Sequence, residues 1–341
     1  MDENYSLNQD KIFSTNRLLK RAELPFVANF TSAQWRSPVR DGVNYGGLRT
    51  AGWKKESTES MPLISIITVV KNDVANIEET ILSVLNQTYN NVEYIIVDGA
   101  STDGTLDIIK KYEKHVDLWV SEPDDGLFYA FNKGVDLVTG KWVEFLNCGD
   151  FFYNNTVLAE IFAGQKIDAN AVYGSVVCHV NGRRVIIDAN EDIKEKAWQG
   201  MRLIHEALFV KAEIIKKFKF DTRYKVSGDG DFVVKCIARG YKFIKTSVIV
   251  FETRAQGFSA MHWLVARKEN WLISRKYFPG PKADFYHLQG LVYFVVFRFF
   301  KRILSAIGIY DFLKKYYRRW FGDKIRREKY HHKEIDSSNR L

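Results

Sequence analysis

Four short apolar runs, separated by stretches of helical spacing, leave this chain few ways to fold. Leu63-Ile-Ser-Ile-Ile-Thr-Val-Val70 and Val92-Glu-Tyr-Ile-Ile-Val-Asp98 are nearly continuous in β-branched residues. Such runs suit strands of a parallel sheet covered on both faces, where neither face can be polar. Between them Ile77, Ile81, Val84 and Leu85 recur at i, i+4, i+7 and i+8, the period of an amphipathic helix. Ser101-Thr-Asp-Gly-Thr105 turns the chain into a second helix, with Leu106 and Ile109 facing inward. Ser101 is expected to cap that helix and Asp103 to sit in its first turn, where the helix dipole favours a carboxylate. Residues 116–120 read as a third strand, 126–138 as a helix and 141–147 as a fourth strand. The alternation predicts an α/β fold, a mainly parallel sheet with helices on both faces.

The fourth strand runs out into Asn147-Cys-Gly-Asp150. In open α/β sheets ligands sit at the carboxyl ends of strands. Asp150 follows a glycine that lets the backbone approach a ligand closely, which predicts a ligand for Mg²⁺ or Mn²⁺. Such ions take oxygen donors and often bind through one or two carboxylates plus the phosphates of a substrate. Asp98 ends the second strand before Gly-Ala-Ser101, placed either to bond a nucleobase or ribose or to hold the turn. No G-x-G-x-x-G follows either strand and no G-x-x-x-x-G-K-[ST] occurs, which counts against a dinucleotide oxidoreductase and a P-loop enzyme.

Beyond Asp150 the pattern is less regular. A helix is expected near 156–163, then strands near 171–180 and 184–188 joined by Asn181-Gly182, a strong hairpin signal. Residues 205–210 read as a strand, 231–239 as a helix, 241–250 as a strand and 261–278 as a helix. Residues 1–60 are polar, aperiodic and turn-rich at Ser37-Pro38 and Gly46-Gly47, and read as an extended arm. The three cysteines are widely spaced and form neither a disulfide framework nor a zinc motif, which fits a reducing cytoplasm. The opening Met1-Asp-Glu-Asn-Tyr has the character of no signal peptide.

Charge is uneven. From Leu288 onward there are 13 Lys/Arg against 5 Asp/Glu, which is +8 of the chain's net +9. A localised basic, aromatic tail points to a polyanionic surface, membrane or nucleic acid. Leu291-Val-Tyr-Phe-Val-Val-Phe297 is strongly apolar, yet the uncharged run 288–297 is half the roughly 20 residues a bilayer span needs. Phe299, Phe300, Ile303, Leu304, Ile307, Phe312 and Leu313 then alternate with Lys314, Lys315, Arg318 and Arg319. That composition predicts a helix lying in a membrane interface over residues 288–330, with packing on the body as the alternative. Lys and Arg could neutralise nucleic-acid phosphates and aromatic rings could stack on bases. The run Leu291–Phe297 is too apolar for that role, so no nucleic acid is expected as a partner.

Several stretches resemble one family. Ser65-Ile-Ile-Thr-Val69, Glu79-Thr-Ile-Leu-Ser-Val-Leu-Asn-Gln-Thr88, Val97-Asp-Gly-Ala-Ser-Thr-Asp-Gly-Thr105, Ser121-Glu-Pro-Asp-Asp-Gly126 and Asn132-Lys-Gly134 occur in this order. Together, over about residues 62–252, they resemble the family 2 glycosyltransferases of bacterial surface polysaccharide synthesis (O-antigen, capsule, exopolysaccharide). The resemblance implies the GT-A fold: a Rossmann-like, mainly parallel sheet flanked by helices, here with an N-terminal arm and a C-terminal amphipathic helical tail. It divides the domain, residues 61–255, into a nucleotide-sugar half, 61–150, and an acceptor half, 151–255, with the membrane-associating region at 256–341. It implies transfer of a sugar from a nucleotide-diphosphate donor with inversion, using a divalent metal (Mg²⁺ or Mn²⁺) and one carboxylate base.

Carried over residue by residue, the resemblance sets Thr68 and Asp98 on the nucleobase side of the donor, and Val70, Asn72 and Ser101 are also expected to bind the donor. Asp125, Gly126, Asn132 and Lys133 match the segment near the diphosphate. Asn147-Cys-Gly-Asp150 stands in place of the family's Asp-x-Asp motif, and Asp150 is its sole surviving carboxylate. His205-Glu-Ala-Leu-Phe and Ser227-Gly-Asp-Gly-Asp231-Phe match the acceptor side. Inversion needs one carboxylate to take the proton of the attacking hydroxyl. Asp229 is the first choice; Asp231 is the second and could instead cap a helix. His205 is expected to hold the diphosphate or the acceptor. Glu122 and Asp124 either face the cleft or form the turn around Pro123. Gln199-x-x-Arg202 lacks the Trp of the processive signature and precedes His205, so addition of a single sugar is expected. The expected substrates are a UDP-sugar and a lipid-linked saccharide on the inner face of the cytoplasmic membrane, with a homo-oligomer left open. A nucleotidyltransferase is the alternative enzyme, but its basic, Gly-rich N-terminal signature is absent.

Overall fold

Strand β4 (Ile64–Val70) is buried along its whole length, and so is β5 (Val92–Asp98). They lie side by side and parallel, joined through helix α1 (Ile77–Leu85). Helix α2 (Thr105–Lys111) leads to β6 (Leu118–Ser121), parallel to β5, and α3 (Leu127–Leu137) leads to β7 (Trp142–Phe145), parallel to β4 on its other side. These are the four strands and three helices that the apolar runs predict. The computed structural model describes residues 20–21, 43–180, 183–253, 262–306 and 332–334.

The parallel centre is extended by antiparallel pairing. On the β7 side follow β11 (Leu208–Lys211), β9 (Ala171–Val180), β10 (Arg183–Ile187) and the short β13 (His332–Glu334). The long β12 (Phe243–Thr253) runs parallel to β9 and carries β8 (Asp150–Phe152) antiparallel on its far part. The expected turn Asn181-Gly182 lies outside the described residues. Five more α-helices follow among the described residues: α4 (Val157–Phe162), α5 (Ala212–Phe218), α6 (Gly228–Ala238), α7 (Trp263–Tyr277) and α8 (Pro281–Ala306).

Two apolar cores explain the all-buried strands. On one face Ile64, Ile66, Tyr94 and Ile96 meet Ile77, Ile81, Val84, Val157 and Phe162 of α1 and α4. On the other, Ile67, Val69, Ile95 and Val97 meet Phe131, Val135, Ile215, Phe232 and Val233 of α3, α5 and α6. Each such side chain contributes roughly 1.5–3 kcal/mol on burial, which makes the sheet the rigid base of the molecule. Helix α3 approaches β4 so closely that a Cβ on Gly134 would lie 2.6 Å from Ile67 Cγ2.

The stretch 43–60, assigned from sequence to the arm, is joined to this sheet. Strand β2 (Asn44–Gly46) adds an antiparallel edge to β6. Strand β3 (Trp53–Lys54) pairs with β1 (Lys20–Arg21). Lys55 Nζ donates to Asp117 Oδ2 at 2.7 Å, and both side chains are almost wholly buried. Arg49 Nη1 donates to Leu137 O at 2.7 Å and to Glu93 Oε1 at 3.2 Å. Charged groups removed from water need such partners.

Candidate active site

The carboxyl ends of β4, β5, β6 and β7 open on one edge of the sheet. Residues expected to contact the nucleotide cluster there, but several are engaged within the protein. Thr68 is fully buried; its hydroxyl donates to Leu146 O at 2.8 Å and accepts from Tyr94 OH at 3.0 Å. Asp98 is also fully buried, and its carboxylate accepts from Ser101 N at 3.0 Å, from Ser121 Oγ at 2.5 Å and from Ser101 Oγ. Ser101 therefore does not cap α2. Gly104, in the left-handed region at φ 101°, precedes that helix, and Asp103 Oδ1 accepts from Thr105 N at 3.0 Å ahead of it. Val70 is buried and its carbonyl accepts from Gly99 N at 2.8 Å. Asn72 takes a left-handed φ of 52°, donating its N–H to Ser101 Oγ and accepting from Thr102 N at 2.8 Å.

The loop before α3 is held by charge. Lys133 Nζ lies 2.9 Å from Glu122 Oε1 and 2.5 Å from Asp124 Oδ1, and donates to Pro123 O at 3.1 Å. Asn132 is turned away from the loop: its Nδ2 donates to Phe220 O and its Oδ1 accepts from Phe220 N, both at 2.9 Å. Asp125 and Gly126 are exposed at the start of α3, with Gly126 at φ 135°.

Asp150 does not end the fourth strand. That strand stops at Phe145, residues 146–149 turn with Gly149 at φ 93°, and Asp150 opens β8 opposite Thr253. Its carboxyl is raised above the ordinary range by burial first and then by the Glu206 carboxylate, against the pull of the Thr253 hydroxyl and His205. His205 lies on a short 3-10 turn ahead of β11, not within a strand. Its Nδ1 is 3.1 Å from Glu206 Oε2 and 3.1 Å from Asp229 Oδ2, and its ring lies against Phe131. Asn147 Nδ2 donates to Glu206 Oε1 at 3.0 Å and lies 3.3 Å from His205 Nε2. Burial alone would push the imidazole down, but the carboxylates of Glu206 and Asp229, with Asp150 behind them, raise it to about 9. It is therefore a cation at neutral pH and is not free to accept a proton.

The two candidate bases part company here. Both lie in the first turn of α6, which starts three residues earlier than the sequence pattern suggests. Asp231 has no exposure; Lys276 Nζ and Tyr277 OH of α7 donate to its Oδ1 at 2.8 and 3.0 Å, and Lys235 Nζ lies 3.1 Å from its Oδ2. Asp229 instead meets His205. The structure thus brings together Asp150, His205 and Asp229 and holds Asp231 apart as an anchor for α7.

Two site carboxylates carried no assignment in the sequence reading. Glu206 follows His205 directly and bridges it to Asn147. Glu144 lies within β7 with no exposure, and neither of its oxygens has a hydrogen-bond partner among the described residues. Burial, then the neighbouring Glu206 and Asp150, hold its carboxyl well above the usual range. The signal was a single acidic residue inside an otherwise apolar run, Trp142-Val-Glu-Phe145. Among the described residues no group of three or more His, Cys, Asp or Glu is arranged to hold a metal ion.

Comparison with known proteins places this geometry. The model of the family described as Glycosyl transferase family 2 matches residues 65–226. A PGL/p-HBAD biosynthesis glycosyltransferase of Mycobacterium tuberculosis is 30% identical over 185 residues, spanning 52% of this chain and 70% of that protein. An uncharacterized glycosyltransferase of Methanocaldococcus jannaschii is 28% identical over 200 residues, spanning 53% of this chain and 67% of its own length. Among solved structures, the 1–349 portion of TarS from S. aureus in complex with UDP-GlcNAc has a TM-score of 0.52 at 16% identity, covering 67% of this chain and 71% of that one. The mannosyltransferase PcManGT from Pyrobaculum calidifontis, in complex with GDP-Man and Mn²⁺, has a TM-score of 0.50 at 20% identity. That match covers 62% of this chain and 63% of the mannosyltransferase, less than two thirds of its length. At such identities the structural likeness speaks for the fold alone, and it is the expected GT-A fold. With the relatives and the motif order in agreement, the chain belongs to the family 2 glycosyltransferases.

Proposed function

We propose that this chain transfers one sugar, with inversion, from a nucleotide-diphosphate sugar to a lipid-linked saccharide in cell-surface polysaccharide synthesis, and that Asp229 is its base. One contrast carries the reading: Asp229 contacts His205 beside Asp150, whereas Asp231 is locked by Lys276, Tyr277 and Lys235. In the proposed step the acceptor hydroxyl oxygen bonds to the anomeric carbon and its proton passes to Asp229. The bond from that carbon to the donor phosphate oxygen breaks on the opposite face, and its electron pair leaves with the nucleotide diphosphate. Cationic His205 would balance the charge that collects there. A UDP-sugar is the preferred donor.

The Asp150 carboxylate and the Asn147 Oδ1, a buried oxygen without a partner among the described residues, fit a hard divalent cation such as Mg²⁺ or Mn²⁺. Such an ion would neutralise the diphosphate. With so few protein ligands it would be held largely by the donor's own phosphates. The likeness to a mannosyltransferase solved with GDP-Man and Mn²⁺ is in keeping with this.

For the acceptor, α8 supports a peripheral position on the inner membrane face. Phe285, Leu288, Val292 and Val296 are exposed apolar residues at helical spacing along it. No described helix is long and apolar enough to cross a membrane. The remainder of the expected interfacial segment, 307–330, lies outside the described residues.

The test is nucleotide-diphosphate release across a panel of UDP-GlcNAc, UDP-glucose, UDP-galactose and GDP-mannose, with Mn²⁺ or Mg²⁺ and a lipid-diphosphate-linked sugar as acceptor. Turnover with one donor is expected, falling about 10²–10⁴-fold in Asp229→Asn, the usual worth of a general base. No turnover with any donor, or full activity in Asp229→Asn or Asp150→Ala, would refute the mechanism. Flotation with anionic vesicles should depend on salt and on residues 288–341; unchanged recovery without both removes the docking claim.

A further inference from the structure

We infer that Glu269 of α7 is a positioning residue for the base: its carboxylate fixes the entry of α6, and with it Asp229. This rests on the reading of Asp229 as base. The family match ends at residue 226, and α7 begins at Trp263, so this contribution comes from outside the matched stretch.

The geometry is specific. Glu269 is buried, and its Oε1 accepts from Lys225 N at 2.8 Å while its Oε2 accepts from Val226 N at 3.0 Å and Ser227 N at 2.8 Å. These are the amides of the three residues that lead into α6, the last of them its N-cap. A helix start of this kind is usually served by the hydroxyl of its own N-cap. Ser227 makes no such bond here; its Oγ donates to Ala266 O at 3.3 Å, again on α7. One carboxylate from a different helix thus holds the backbone that enters α6, and its hydrogen bonds are the stronger, charge-assisted kind.

Asp229 is only two residues beyond Ser227, so the position of its carboxyl follows that of the three amides. The next residue of α7, Asn270, packs close to the same segment. A Cβ on Gly230, between the two aspartates, would lie 3.5 Å from Asn270 Oδ1, and one on Gly200, in the segment leading to His205, would lie 3.2 Å from it. About two turns further along α7, Lys276 and Tyr277 hold Asp231. Among the described residues, Glu269 itself bonds to these backbone groups of the α6 entry, and the expected donor residues, Asp98 and Asp150, bond elsewhere. Loosening the entry should therefore affect the proton-transfer step and leave donor binding alone. A catalytic group displaced by about 1 Å can lose roughly 10²-fold in rate.

The experiment measures kcat and donor KM of full-length wild type, Glu269→Gln, Glu269→Asp and Asp229→Asn, using whichever of the four panel donors turns over fastest. Glu269→Gln is expected to lower kcat about 10–100-fold with donor KM within about twofold, and Glu269→Asp to recover part of the loss. An inactive Asp229→Asn alongside a Glu269→Gln variant with kcat within twofold of wild type overturns the role of Glu269 alone. An active Asp229→Asn overturns the base assignment instead. A rise in donor KM that matches the fall in kcat also overturns positioning, because it marks general damage. If Glu269→Gln does not fold, Glu269→Asp decides, and unchanged kcat there counts against the inference.

Discussion

Replacing Glu144 by Gln should flatten the pH dependence of stability. Glu144 has no exposure and no hydrogen-bond partner among the described residues, and burial with the nearby Glu206 and Asp150 carboxylates holds it protonated above the ordinary range. In the unfolded chain a glutamate ionises near pH 4.3. Between that value and its raised folded value the native state holds one more proton than the unfolded state. Its stabilising contribution is therefore complete at low pH and is lost as pH rises, by about 1.4 kcal/mol per pH unit per proton. For a domain of this size that slope corresponds to a Tm change of roughly 3–6 °C per pH unit. Asp150 and His205, both raised, act in the same direction, so the wild type should fall more steeply than one proton alone requires. Gln keeps the shape but cannot ionise. Its unpaired amide costs about 1–3 kcal/mol at every pH and so does not alter the slope. Urea unfolding at pH 6, 7 and 8 in EDTA measures the slopes. If the two proteins lose stability with parallel slopes, Glu144 is ionised in the fold and the reasoning fails.

Two further outcomes follow from buried charge. Asp231→Ala should cost about 2 kcal/mol in urea unfolding, below the roughly 3–5 kcal/mol of a fully buried broken pair because Lys276 keeps part of its hydration; no change would deny the anchoring of α7. Lys55→Met leaves Asp117 buried without its cation and should cost about 3–5 kcal/mol at pH 7. Because that orphaned carboxyl is relieved by protonation, the loss should shrink at pH 5, and an equal loss at both pH values would contradict the pairing.

The parallel centre was legible because burial on both faces writes itself into sequence as unbroken β-branched runs, as at Ile64–Val70 and Val92–Asp98. Asp150 was legible as chemistry but not as position. Its strand is defined by pairing with Thr253, about a hundred residues away, and no local pattern announces that. Thr68 lies within β4 and Asp98 ends β5, yet their polar atoms are bonded to Leu146, Ser101 and Ser121, partners that only the folded chain supplies. The sequence ranks Asp229 ahead of Asp231, but the contacts that set the two apart, with Lys276 and Tyr277, come from a helix that the motif does not include. Ser101 shows a local rule overridden: a good capping residue is taken up by Asp98, and Asp103 serves the helix.

The grip of α7 on α6 also bears on where this enzyme can be cut. A fragment ending after β12, at Thr253, would expose three amides at the α6 entry and leave Asp231 buried beside Lys235 without Lys276 or Tyr277. An unbonded backbone amide and an undercompensated carboxylate both destabilise a fold. The smallest autonomous unit is thus set by hydrogen bonding and not by motif content: it runs through Tyr277, and a chimera that grafts another tail must carry α7 with the catalytic half.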